Sequence, residues 1–412
     1  MPSRHVFLQV ALVTSIGFLA VTIAGAQASK FKVLHTFAGG SDGAYPTSGV
    51  VFDPAGNLYG TTLFGGSGIG CETGCGTAFE LVPSGVRWKE RVLYSFSNSA
   101  DYGIYLFGPL AFDAAGNIYG TSSNGGDPSC ECGLAFQLTK SGGLWTENVL
   151  HTFLGGTTDG QYPQWGLARD GAGNLYGLAN AGGLNGSYGL VFQFTPNGDG
   201  TWTYSVIHEF ANSPDGNSPY GPLTIDASGN IYGTTASGGS YGYGTVFRFT
   251  PSNGAWTETI LYNFTADSGL FPQPDGVVMD AAGNLYGAAF DGGQYSVGVI
   301  YKLTPTAGFW NRTVLHTFNG SDGAYPFGGL KIDQTGALYG EAQNGGVYGY
   351  GTIYKLVQGR HGQWNLAVLH NFSGSDGSYP YGGVTLDQLG NLYGVAELGG
   401  AYGLGLAFEI AH

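Results

Sequence analysis

Phe31 to Phe37 reads FKVLHTF, and this wording belongs to the end of a repeat rather than its beginning. It closes later units, as NRTVLHTF at Asn311 to Phe318 and NLAVLHNF at Asn365 to Phe372. The last stretch of the chain, Leu406 to Ile410, matches the third segment of a unit and has no fourth after it. A closing strand displaced to the N-terminus, with a final unit lacking one, describes a ring joined at its two ends. Closure protects strand edges that an open array would expose.

The repeating unit is legible throughout. An Asn-Leu-Tyr-Gly-like core recurs with its tyrosine at Tyr59, Tyr119, Tyr176, Tyr232, Tyr286, Tyr339 and Tyr393, at spacings of 53 to 60 residues. Such a period suits four short strands with their turns and carries no helical pattern. In the fourth unit, Pro222 to Ile225, Ile231 to Thr235, Gly244 to Thr250 and Trp256 to Phe264 are apolar runs rich in β-branched and aromatic residues. Asp226 to Asn230 turns the first strand into the second, and Gly229 can supply the positive φ of a tight hairpin. The expected fold is all-β: a seven-bladed β-propeller of four-stranded antiparallel blades. The last blade takes one strand from the N-terminus and three from the C-terminus.

Composition agrees. The 412 residues include 76 glycines, interleaved with Val, Leu, Phe and Tyr that can bury area, so they read as turns rather than disorder. Arg4 and His5 precede an apolar run from Val6 to about Ala24, followed by small residues. No basic stop-transfer cluster follows, so residues 1–28 read as an export signal and 29–412 as a single propeller domain. No other stretch is apolar for long enough to span a bilayer. The expectation is a secreted monomer, extracellular or periplasmic. A net charge of −14 argues against binding nucleic-acid phosphate or anionic membrane.

The strings DAAGNLYG (Asp280 to Gly287), GTVFRFTP (Gly244 to Pro251) and VLHTFNGSDGAYP (Val314 to Pro326) resemble the GloVer tandem repeat of secreted bacterial proteins. The resemblance covers essentially the whole chain after residue 28. The hairpin wording is also similar, more weakly, to NHL-type propellers. The resemblance implies a repeat architecture and no particular reaction. Members often carry a C-terminal surface anchor; this chain stops after its last strand, which favours free secretion.

Most residues with chemical potential occur about seven times. Asp53, Asp113, Asp170, Asp226, Asp280, Asp333 and Asp387 precede the first hairpin turn and read as turn caps rather than a metal ring. Asp42, Asp101, Asp159, Asp215, Asp267, Asp322 and Asp376 lie between units, where they would ring the channel on one face. Calcium wants several oxygens from one loop, and each loop offers about one acid. His35, His151, His208, His316 and His370 share a position that Tyr94 and Tyr262 also fill, which reads as packing. Two Gly-x-Ser-x-Gly matches, Gly39 to Gly43 and Gly238 to Gly242, lack the following helix of a nucleophile elbow.

Cys71, Cys75, Cys130 and Cys132 are candidate disulfide partners in an exported chain. Cys71–Cys75 fits within its loop, Cys130–Cys132 would be strained, and pairing across the two loops is the rival. Departures from the repeat give the ligand-binding candidates. Trp165 and Asp275 break a column of small residues at the channel mouth, and Arg169 breaks an apolar column, where a buried arginine would need a partner. The expected function is a non-catalytic binding or interaction propeller, suited to a neutral polymer such as carbohydrate that could stack on loop tyrosines including Tyr188, Tyr241, Tyr243, Tyr348 and Tyr350. The alternative is a polysaccharide lyase or hydrolase with its site at the channel mouth, and a third reading is a structural envelope protein.

Overall fold

A computed structural model describes residues 30–97, 103–185, 187–266, 271–272 and 276–411. The proposed export signal, Asp101, Asp267 and the candidate Asp275 lie outside them. The described residues form a seven-bladed propeller of four-stranded antiparallel sheets, with no regular secondary structure besides strands and one 3₁₀ turn, Gly40–Asp42. No helix among them is long and apolar enough to cross a membrane.

In blades 1 to 6 the strands run outward in chain order. Blade 4 is Asn217–Ile225, Ile231–Ser237, Thr245–Ser252 and Ala255–Asn263. Its innermost strand begins five residues before the sequence reading placed it, because a register irregularity between Tyr220 and Thr224 lets the ladder resume beyond Pro222. Blade 7 joins Ser378–Leu386, Leu392–Leu398 and Leu406–Ala411 to the N-terminal strand Lys30–Thr36. That strand pairs antiparallel with Leu406–Ala411, from Lys30 opposite Ala411 to Thr36 opposite Leu406. The ring therefore closes by mixing its two ends.

The repeated motif does three jobs in each blade. Asp280 Oδ1 accepts hydrogen bonds from the Ala282 and Asn284 backbone N–H groups, both at 2.9 Å. Its Oδ2 accepts from the Asn284 amide at 2.7 Å and the Tyr286 hydroxyl at 2.9 Å. Gly283, at φ 80°, makes the turn that allows this. The glycine after the tyrosine clears room for an aromatic ring of the third strand: a Cβ on Gly60 would stand 2.6 Å from Phe79 Cζ.

The outermost strands share a second device. Each carries a one-residue bulge, at Leu34, Leu93, Leu150, Ile207, Leu261, Leu315 and Leu369, immediately before the His or Tyr of that strand. A bulge re-aims the side chain that follows it, here onto the seam with the next blade.

The core is a series of clusters centred on these seams. Leu34 and Phe37 of the N-terminal strand pack with Val50, Leu58 and Phe79 of blade 1 and Tyr393 of blade 7. Phe31 stacks on His370 with ring centres 3.8 Å apart. Phe37 is fully buried, so Phe37→Ala should cost about 3–5 kcal/mol of stability, the range for a buried Phe truncated to Ala. Chemical denaturation would read this as a lower midpoint, and a loss below ~1 kcal/mol would contradict the closure described.

Candidate functional site

The loops between second and third strands and the crossovers between blades share one face of the ring. They bond directly: Gly66 N–H to Gly40 carbonyl at 2.7 Å, Gly239 to Asn212 and Gly346 to Gly320, both at 2.8 Å. The first hairpin turns lie at the other ends of the strands, on the opposite face. There the motif aspartates act as caps, as the sequence reading expected. Burial acts against them, but the Asn, Tyr and backbone hydrogen bonds hold the Asp280 carboxyl below the usual range. Replacing Asp280 by Ala should therefore lower stability by about 1 kcal/mol, as for the net loss of partly buried hydrogen bonds. Adding calcium or EDTA should leave the melting temperature of both proteins unchanged; a calcium-dependent rise confined to the parent would overturn the capping role.

The five described aspartates between blades do not ring the channel. They turn toward the outer-strand histidines, at 3.1 Å for Asp42 with His35, 2.9 Å for Asp159 with His151, and 3.0 Å for both Asp215 with His208 and Asp322 with His316. Asp376 stands 3.3 Å from His370. The cause is local: the same carboxylates accept the first N–H of their crossover loop, as Asp42 does from Ala38 at 2.7 Å and Asp215 from Ala211 at 2.9 Å. The histidines thus pack and also anchor the crossovers, a pairing the sequence reading missed. Its signal was the recurrence of an aspartate six to eight residues after each histidine.

A third member from the following blade joins most seams. Tyr204 stacks on His151 at 3.9 Å, Arg312 lies 6.0 Å over Tyr262, and Glu258 comes within 3.7 Å of His208. His208, Asp215 and Glu258 place one donor atom each within 4.8 Å of one another. One imidazole and two carboxylates differ from the all-oxygen set of calcium. A shared proton explains the seam more simply: it joins Glu258 to Asp215, whose Oδ1 and Oε1 atoms are otherwise unpartnered. Burial, then the Asp215 bond and charge, push the Glu258 carboxyl up to about 8.

Burial likewise raises Glu147 to about 8, and burial with the Asp42 charge raises Glu90 to about 7. A carboxyl whose pKa is higher in the folded state binds more protons folded than unfolded, so stability falls as pH rises from the unfolded value toward the folded one. His316 and His370 are lowered by burial and act oppositely, at or below their ordinary 6.5. The melting temperature should therefore decline between pH 6.5 and 8.5. Glu147→Gln should flatten that decline; an unchanged slope would refute the assignment.

Of the ligand-binding candidates from sequence, the two that lie among the described residues, Trp165 and Arg169, stand at opposite ends of the inner segment of blade 3. Trp165 is 6% exposed at the channel mouth, its ring 4.3 Å from Tyr220 of blade 4 and 6.4 Å from Phe327 of blade 6. Phe327 in turn stands 4.4 Å from Tyr381. Trp165 thus departs from the small-residue column because it fills the mouth. Arg169 is exposed rather than buried, with its guanidinium beside Gly173 of its own hairpin turn. Its column packs on the motif tyrosine of the preceding blade, as Phe112 does on Tyr59 at 4.9 Å, so it faces a blade seam on the other face and not the channel. The cysteines pair within their own loops, Cys71 with Cys75 and Cys130 with Cys132, so the cross-loop alternative is set aside.

Tyrosines separate by position. Tyr188 and Tyr243 pack against the core. Tyr241, Tyr295, Tyr348 and Tyr402 occupy the same tip position of the second-to-third-strand loop in blades 4, 5, 6 and 7, and are 62, 54, 60 and 62% exposed. Tyr241 also borders a groove of about 750 Å³ that runs beside the outer strand of blade 4 to Phe309 and Trp310. In blades 1 and 2 the equivalent loops carry the disulfides instead. Beside the first lies a hollow of about 640 Å³ lined by Tyr45, Phe64 and Glu72.

A further column escaped the sequence reading. Tyr45, Tyr105, Tyr162, Ser218, Phe271, Tyr325 and Tyr379 all have φ between 53 and 61°, a costly conformation for a bulky residue. The strain serves the seams, because their N–H groups reach the neighbouring blade's loop, as Tyr45 does to Leu404 at 2.9 Å and Tyr379 to Tyr350 at 3.0 Å. The recurrent aromatic-proline pair was its signal.

The Gloeobacter/Verrucomicrobia repeat matches over residues 20–225, 69–276 and 224–412. The chain belongs to that repeat family. No curated protein matches this repeat-family chain. Among solved structures it is similar to the extracellular domain of a provisionally named one-component system from B. thetaiotaomicron, at 12% identity and a TM-score of 0.56, covering 93% of this chain and 40% of that one. It is also similar to a provisionally named glucose dehydrogenase from Thermus thermophilus, at 16% identity and a TM-score of 0.45, covering 75% and 97%. A provisionally named gluconolactonase follows at 14% and 0.40, covering 68% and 80%. At such identities the likeness is one of fold.

Proposed function

We propose that the chain is a secreted, single-domain, non-catalytic binding propeller that engages a neutral polymer, carbohydrate in the first place, on the face carrying the second-to-third-strand loops. The observation that carries this reading is the arc of Tyr241, Tyr295, Tyr348 and Tyr402, presented by four consecutive blades at one loop position. Single exposed aromatics are ordinary; four in register on one rigid face form a platform. Tyrosine offers a large amphipathic surface at low entropic cost, and its face stacks on the apolar side of a sugar ring. A neutral ligand also suits a protein of net charge −14.

Export is supported by the N-terminal apolar run and by two disulfides, which persist in oxidising compartments. The lyase or hydrolase alternative needs substrate access at the channel mouth, where Trp165 and Phe327 stand. The experiment is a glycan array on the parent and on the variant with all four tip tyrosines changed to Ala. Affinity for the glycans retained by the parent should fall at least tenfold, about 1.4 kcal/mol. Thermal stability should change little, since the side chains are exposed. Equal binding by the two proteins would refute the platform.

A further inference from the structure

Five residues after the motif tyrosine stand Asn124, Ala181, Ser237, Asp291, Asn344 and Leu398 in blades 2 to 7, and Phe64 in blade 1. Phe64 is the one aromatic residue of that column, and departures from a repeat are where function is expected. Two tyrosines flank its ring nearly at right angles. Tyr45 stands 5.7 Å away between ring centres, at 85°, and Tyr105 5.6 Å away, at 84°. All three rings are half-buried. Phe64 lines two hollows, one of about 640 Å³ shared with Tyr45 and one of about 380 Å³ shared with Tyr105. The two disulfide loops meet at the smaller one. The Cys71–Cys75 bridge encloses Glu72 and the Cys130–Cys132 bridge encloses Glu131, in each case the residue after the first cysteine. Both glutamates are exposed, and both line this hollow. Backbone bonds hold the loops down: Gly65 N–H to the Thr73 carbonyl at 2.9 Å, and Glu131 N–H to the Asp127 carbonyl at 2.8 Å. Among the described residues neither glutamate forms an ion pair, and no lysine or arginine lines either hollow.

We propose that the smaller hollow binds a quaternary ammonium compound, its methylated head against the Phe64 and Tyr105 rings and in the field of Glu72 and Glu131. A cation is drawn to the negative face of an aromatic ring, and quaternary ammonium groups are recognised by sets of such rings. Two rings at right angles offer a corner to a rounded head. A quaternary nitrogen carries no N–H, so it needs no acceptor in contact; carboxylates at the rim attract it across several ångströms. A metal ion would instead want oxygens converging on one point. The one such group among the described residues is His208, Asp215 and Glu258, on another seam. The volume suits a small molecule, whose sites span about 300–1,000 Å³. A net charge of −14 favours a cationic ligand as well. The site lies apart from the tyrosine arc and does not rest on it.

The test is calorimetric titration of the full chain with choline chloride at constant ionic strength, beside the neutral alcohol in which carbon replaces the choline nitrogen. Choline should bind saturably in the millimolar range, and the alcohol at least tenfold more weakly. Phe64→Asn, which installs the residue blades 2 and 6 carry there, should weaken choline binding at least tenfold. The double variant Glu72→Gln with Glu131→Gln should weaken it several-fold at an unchanged melting temperature, since both side chains are exposed; should Phe64→Asn fail to fold, this variant decides. The variant with four tip tyrosines changed to Ala should bind choline as the parent does. No saturable binding by the parent, equal binding of the alcohol, displacement of choline by equimolar calcium, or undiminished binding in the glutamate variant would each overturn the proposal.

Discussion

One antiparallel pairing conditions everything else in this molecule: Lys30–Thr36 against Leu406–Ala411. A propeller blade buries its faces only against its neighbours, so a ring of seven has no stable end. Without that pairing, blade 7 would expose an unpaired edge and blade 1 would lose Leu34 and Phe37 from its seam. The circular constraint then propagates inward. Seven inner strands converge on one axis, small residues are needed there, and whatever departs from smallness must occupy the channel itself. Trp165, packed on Tyr220 and reaching across toward Phe327, is the clearest such departure.

Around the rim the same constraint is met by repetition. A bulge turns His or Tyr onto the next blade, a crossover aspartate holds it, and a residue of the following blade packs over the pair. This last position varies freely among Phe31, Glu90, Glu147, Tyr204, Glu258 and Arg312. Three of the seams thereby enclose a carboxyl that folding prefers neutral. The seam tolerates such variety because stacking, a shared proton and a cation over a ring can each fill one slot of similar shape.

The two faces have separate duties. The hairpin face is built from closed Asp-Asn-Tyr hydrogen-bond sets that leave few groups to offer a ligand. The loop face carries the exceptions: two disulfide-clipped loops, four exposed tyrosines, and a ring of strained aromatics whose backbone lashes each crossover to its neighbour. Rigid support beneath variable tips is how a repeat scaffold presents a binding surface without rebuilding its core.

The architecture was legible in the sequence because it rests on counting and local chemistry: the period, the turn motif, the displaced FKVLHTF. Turn capping by Asp280 and its equivalents was legible for the same reason, since every partner lies within six residues. What only the tertiary structure decided involves partners on different blades or a side chain's direction. Asp42 points out to His35 and not in to the channel; Arg169 lies exposed on a seam; Trp165 reaches across to Phe327. A repeat pattern specifies which residues are equivalent, but the sense in which each side chain faces a neighbour is set by the curvature of the ring, which no single unit contains.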